Sequence, residues 1–202
     1  MSRQEQIYDR RQPVEIKHLM AVPDLDILVF SDSHNDNRLM ARCMDTYPET
    51  GLILHLGDHE SSLWPIMRKT NRPFLAVAGN CDWLTADVLP YERVFRCAGL
   101  GFYMCHGHLA HVKRGCGRLL KQAASQAGPV DLVLFGHTHM PLIRTKMVNK
   151  RPVTLANPGA AGRRFSTGTV TAMLVHIREH ELQDIWHLNE DAKPFIPAEV
   201  KP

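Results

Sequence analysis

Residues 132–139 read Leu-Val-Leu-Phe-Gly-His-Thr-His, four apolar residues, a glycine and then two imidazoles two positions apart. A short apolar run bounded by a polar tip is the pattern of a buried strand. On an extended backbone, side chains two apart project to the same side, so His137 and His139 are expected to leave the strand end together, as a metal-ligand pair would. Four other stretches share this form. Asp32-Ser33-His34 follows an apolar run at 25–30, Gly57-Asp58 follows 52–56, Gly79-Asn80-Cys81-Asp82 follows 74–78, and His106-Gly107-His108 follows 102–105.

Between the first three tips lie segments of helical spacing, with Leu39, Met40, Cys43, Met44 and Tyr47 in one and Leu63, Trp64, Ile66 and Met67 in the next. Alternating strand and helix predicts right-handed βαβ units and a largely parallel sheet. In such sheets ligands gather beyond the carboxyl ends of the strands, where all three tips fall. After residue 90 the pattern changes. Residues 94–97 and 102–105 flank Ala98-Gly99-Leu100-Gly101, a hairpin signal. A helix is expected over 111–127, with Val112, Cys116, Leu119, Leu120, Ala123 and Ala127 on one face, stopped by Gly128-Pro129. Strands are expected at 142–147, 153–156, 169–177 and 182–188, the last two joined at Arg178-Glu179-His180, so that this half is β-rich and mostly antiparallel.

A chain of 202 residues with 44% apolar content suits one domain with a sizeable core, expected over 23–202, behind a polar peripheral arm at 1–22. A net charge of +3, with the basic residues scattered, carries no strong nucleic-acid signal and no membrane signal. The five cysteines form no CxxC pair, which suits a reducing compartment, and no apolar run approaches the roughly 18 residues of a membrane span. The expected location is cytoplasmic, and a homo-oligomer is left open.

Five strand ends that each offer Asp, Asn or His are a convergence on divalent-metal chemistry rather than ordinary polar loops. Their order, D-x-H, G-D, G-N-x-D, H-x-H and G-H-x-H, resembles the calcineurin-like metallophosphoesterases. Cysteine in the third motif and Asn157-Pro158-Gly159 further on resemble the compact bacterial and archaeal phosphodiesterase branch, related to the retromer scaffold subunit. The resemblance covers about residues 26–188 and implies an α/β fold, a four-layer α/β/β/α sandwich with mixed sheets. It assigns one metal to Asp32, His34, Asp58 and His139 and the other to Asp58, Asn80, His106 and His137, with Asp58 bridging. It implies hydrolysis of a phosphoester through attack of a metal-bridging hydroxide, the two ions about 3.5–4 Å apart. Manganese is the first expectation for both ions, with iron, zinc, nickel and magnesium as alternatives.

Asp58, Asn80 and His108 are the candidate catalytic residues, and Asn80, His108, Arg163 and Arg164 the candidate substrate contacts. His108 has no assigned metal; it either touches phosphate, supports a ligand or supports the loop. Arg163 and Arg164 either hold a phosphate oxygen or form a solvated basic pair after a turn. His55, inside an apolar strand, is expected to be a core histidine, and His59 is left outside the site. Trp83 either lines the opening or packs in the core. Many relatives carry histidine where this chain has Cys81. A thiol is a weak donor with an ordinary pKa near 8.5, so help for a poor leaving group is lost and diesters or activated esters are favoured. The reading is a small-phosphoester phosphodiesterase. The alternatives are a phosphomonoesterase or nucleotide hydrolase of the same superfamily, or a non-catalytic protein-binding scaffold.

Overall fold

Two sheets face each other across a shared apolar core in the computed structural model, which describes residues 16–83, 88–126, 128–164 and 168–197. The strands are β1 (Leu25–Phe30), β2 (Leu52–His55), β3 (Phe74–Ala76), β4 (Glu92–Cys97), β5 (Leu100–Cys105) and β6 (Leu132–Phe135), then β7 (Leu142–Val148), β8 (Arg151–Asn157), β9 (Ala172–Arg178), β10 (Glu181–Leu188) and β11 (Pro194–Phe195). The helices are α1 (Arg38–Thr46), α2 (Leu63–Met67) and α3 (Gly117–Ala124).

The first sheet has the order β11-β10-β9-β1-β2-β3, and the second β4-β5-β6-β8-β7. In the first, β1, β2 and β3 run parallel, and β9 returns antiparallel to β1. In the second, β5, β6 and β8 run parallel between antiparallel edges β4 and β7. The parallel triplets bring their carboxyl ends, and therefore the five polar tips, to the seam between the sheets.

Strand periodicity sorts the side chains into layers. Phe102, Met104, Leu132 and Leu134 join Phe30 and Leu54 of the first sheet in one cluster, which also takes in Leu39, Met40, Cys43 and Met44 of α1. Their chain neighbours Tyr103, Val133 and Phe135 turn to the other side and meet Leu119 and Ala123 of α3. Helix, sheet, sheet and helix follow in that order, the four-layer mixed α/β fold expected from the resemblance. β1 sits between two neighbours and is buried along nearly its whole length, which explains its near-continuous apolar sequence.

Several boundaries differ from expectation. The helix expected over 111–127 is a 3-10 turn at Val112–Arg114 and an α-helix at Gly117–Ala124. Gly115, at φ 121°, breaks them apart in a conformation a helix cannot contain. Ala127 lies outside the described residues. The third strand stops at Ala76, and the strand expected from 169 begins at 172, because the Thr171 hydroxyl donates to the Pro158 carbonyl and its N–H to Ala160. The hairpin turn is Ala98-Gly99 alone, both residues at positive φ as a two-residue turn between twisted strands requires. Of the expected arm, residues 1–15 lie outside the described residues; Ile16–Met20 form a 3-10 turn with Leu19 buried, and the Leu19 carbonyl accepts from Ala98 N–H at 2.7 Å. The short β11 has no counterpart in the sequence reading.

Candidate metal centre

Asp32, His34, Asp58, His106, His137 and His139 come together at the inter-sheet seam. Three clusters of potential ligand atoms, each within 4.8 Å, form there: Asp32, His34 and His139; Asp58, His106 and His137; and His34, Asp58 and Cys81. The first two are subsets of the two sets that the family resemblance assigns, the first without Asp58. Asn80 adjoins the second, its Oδ1 3.1 Å from His106 Nε2.

The backbone reaches this arrangement by unusual conformations. Asp32, His34, Asp58, His137 and His139 all have φ between 43° and 67°, a region few non-glycine residues adopt and one in which Asp, Asn and His are enriched. Strained backbone of this kind persists where the surroundings over-determine it, commonly at functional sites. The extended-strand argument for His137 and His139 therefore fails: the chain has left the strand, and the two imidazoles diverge to different clusters. Two glycines permit the close approach of the loops. A Cβ on Gly79 would sit 2.1 Å from Asp58 Oδ1, and one on Gly136 would sit 1.9 Å from Ser31 Oγ.

Hydrogen bonds define how the imidazoles point. The Nδ1–H of His106 donates to the Leu56 carbonyl at 2.8 Å, which turns Nε2 toward Asp58 Oδ2 at 3.3 Å and Asn80 Oδ1. Glu60 Oε1 holds His34 Nδ1 at 3.1 Å, so that Nε2 faces Asp58 Oδ2 at 3.8 Å. His139 Nε2 lies 3.0 Å from Asp32 Oδ1, a buried oxygen with no hydrogen-bond donor among the described residues. With Nδ1–H donating to a backbone carbonyl or carboxylate, the neutral ring presents a lone pair at Nε2, facing oxygens that also only accept. Such a convergence of acceptors is repulsive unless a cation or an extra proton lies among them. Anchoring the far nitrogen on a carbonyl or carboxylate is also how metal-bound histidines are held. The residues present thus fit divalent cations.

Electrostatics point the same way. Burial would raise the Asp58 pKa, but His106, the Cys81 N–H and His34 outweigh it and hold the carboxyl below its ordinary range. Burial would lower His106, but Asp58 and Asp32 outweigh it and raise its pKa. His137 is pushed down to about 4 by burial and by His106.

Other expected residues are less central. His108 is half-buried with its ring 5.4 Å from that of His106, and its Nδ1 is buried without a hydrogen-bond partner among the described residues. Burial, then His106, lowers its pKa. Arg164 reaches Glu60 at 3.4 Å and so borders the His34 side of the site. Arg163 pairs with Glu190 and lines the same cleft as His34 and Arg164. His55 is a satisfied core histidine: its Nδ1 accepts from Gly57 N–H at 3.2 Å and its Nε2 lies 3.1 Å from Ser33 Oγ. Trp83 is 76% exposed, which removes the core-packing reading.

Sequence reasoning missed two supporting carboxylates. Asp82, buried, accepts from the N–H groups of Asp58, His59, Glu60 and Gly79 at 2.6–2.9 Å and so ties the second and third loops together. Its place in the GNCD tip was the available signal. Glu60 lies outside every tip, and nothing in its sequence context marked it.

Residues 25–180 match the model of the calcineurin-like phosphoesterase superfamily domain. Among curated proteins none matches. A predicted phosphoesterase from Streptococcus pneumoniae TIGR4 shares the fold with a TM-score of 0.65 at 23% identity, over 87% of this chain and 95% of that one. Vps29 from Entamoeba histolytica, complexed with zinc, gives 0.58 at 22%, over 82% and 92%. The phosphoesterase YfcE of E. coli gives 0.55 at 15%, over 80% and 98%. With the matched model spanning most of the chain and both sheets delivering its polar tips to one seam, this protein belongs to the calcineurin-like phosphoesterase superfamily.

Proposed function

We propose that this superfamily member is a phosphodiesterase working with two divalent cations, manganese first among them. The supporting observation is the acceptor convergence at His106 Nε2, Asp58 Oδ2 and Asn80 Oδ1, with His139 Nε2 3.0 Å from Asp32 Oδ1 in the neighbouring cluster. Asp32, His34, Asp58 and His139 would hold one cation, and Asp58, Asn80, His106 and His137 the other. Bound there, the cations supply an activated water and neutralise phosphoryl oxygens.

The chain's own groups set the substrate preference. Asp58, ionised and anchored by the Cys81 N–H at 2.7 Å, contributes charge between the two sets. His108, neutral at physiological pH because burial and His106 disfavour its protonated form, offers a ring nitrogen at the edge of the second set. The Cys81 thiol is raised to about 11 by burial and by Asp58, so it stays protonated and is a poor donor to a departing alkoxide. An unactivated monoester would receive little acid assistance, whereas a diester or activated ester needs less.

The test compares bis(4-nitrophenyl) phosphate with 4-nitrophenyl phosphate on manganese-loaded protein. Wild type is expected to favour the diester, and Cys81→His to shift the ratio toward the monoester; an unchanged ratio rejects the role given to Cys81. A protein-binding scaffold is the second reading, suggested by the likeness to Vps29. Metal content alone does not separate the readings, because the E. histolytica protein is itself complexed with zinc. Absence of hydrolysis of both esters after manganese loading favours the scaffold.

A further inference from the structure

The opening of the candidate site has two unlike flanks. Beside His34 the cleft is polar and basic, lined by Asn35, Asp36, Arg38, Lys69, Arg163 and Arg164. Near His108 the exposed side chains are apolar or aromatic. Tyr91 is 46% exposed, and its ring stands edge-on to His108 at 5.7 Å. Leu109, next in the chain to His108, is 54% exposed, and Trp83 follows directly on the buried Asp82.

Tyr91 is placed there by both sheets. The Pro90 carbonyl accepts from Ala78 N–H at 2.9 Å, which ties the segment to the chain leaving β3, one residue before the GNCD tip. On the other side Glu92 is registered with Cys105, the residue before His106. The backbone on either side of Tyr91 is thus tied to the segments that lead to the third and fourth tips, and its ring meets His108 of the fourth. Exposed aromatic and aliphatic side chains cost solubility and are unusual when grouped around a polar site, unless something covers them. A phosphodiester held at the seam by its phosphoryl oxygens must direct its two ester substituents outward across this rim. An apolar substituent has no favourable surface on the basic flank.

The geometry points to a substrate subsite for an aromatic or apolar ester substituent on Tyr91 and Leu109, with Trp83 at its margin, so that the substrate class is a diester carrying at least one such group. This rests on the phosphodiesterase reading. Isothermal titration of manganese-loaded protein with phenylphosphonate and methylphosphonate tests it without turnover. Wild type is expected to bind phenylphosphonate more tightly by roughly three- to tenfold, the scale of a good aromatic contact. Tyr91→Ala brings the two ligands toward parity, Tyr91→Phe keeps the preference and Leu109→Ala reduces it. Equal affinities in wild type, or a preference that survives in both alanine variants, overturns the subsite. A preference without hydrolysis of any ester removes the phosphodiesterase reading and leaves the subsite standing. Diester hydrolysis without the preference does the reverse.

Discussion

The two sheets end their parallel strands at the same seam yet deliver different groups. β1, β2 and β3 lead to Asp32, His34, Asp58 and Asn80, mostly oxygen donors with two negative charges. β5 and β6 lead to His106, His137 and His139, all nitrogen donors. The loops of the first sheet are tied by carboxylates, the buried Asp82 across four N–H groups and the half-buried Glu60 on His34. Those of the second are tied mainly by neutral contacts: Asn157 Nδ2 donates to the Gly136 carbonyl at 3.0 Å, and Gly136 N–H to the His106 carbonyl at 3.1 Å. Two of the three ligand clusters draw on both sheets, so a complete mixed oxygen and nitrogen set exists only when the sheets are packed together. Metal binding should therefore report on tertiary packing as much as on the ligands themselves.

The largest expected effect tests whether the oxygen side is indispensable. Asp58→Asn removes the charge that the proposed two-cation arrangement shares between its two sets, and esterase activity should fall by on the order of 10³-fold or more. Steady-state rates on a chromogenic diester check this, and retention of more than a tenth of the activity would mean that Asp58 does not serve both ions. Asp82→Ala breaks the tie beneath the first sheet's loops. It leaves up to four buried N–H groups without their acceptor, and the expected loss is about 3–5 kcal/mol of stability, measured by urea unfolding. A loss below about 1 kcal/mol would show that water or a shifted loop replaces the carboxylate.

Glu60→Gln keeps the shape but weakens the hold on His34. Manganese affinity should drop about 10- to 100-fold with little change in melting temperature, by titration and calorimetry. The imidazole side is probed most gently by pH. In the metal-free protein His106 has a pKa above its ordinary 6.5, and the stability this contributes is complete below that value and lost as pH rises through the folded one. Manganese must displace that proton, so affinity should rise with pH by up to about tenfold per unit until the folded pKa is passed. Titration in two buffers of different ionisation enthalpy would count the released proton, and a flat profile would exclude His106 as a ligand.

Much of this arrangement was legible in the sequence because strand and tip are local signals. The apolar runs at 25–30, 52–55 and 132–135 are strands, and each polar tip lies at a carboxyl end of a parallel strand. The break at Gly115 was hidden, since the apolar spacing from Val112 to Ala123 continues through a residue whose conformation no periodicity reveals. Glu60 was hidden for a different reason: its partners, His34, Asn35 and Arg164, are 25 to 104 positions away.

The sequence by itself determined which chemical groups the site holds and the order in which strands present them, because side-chain identity and two-residue periodicity are properties of the chain. Only the tertiary structure decided how those groups are shared. It took the left-handed turns at five candidate ligand positions, the glycine contacts at 79 and 136 and the facing of two sheets to send His137 toward Asp58 and His139 toward Asp32. Those choices depend on contacts between residues far apart in the chain, where neither propensity nor spacing carries information.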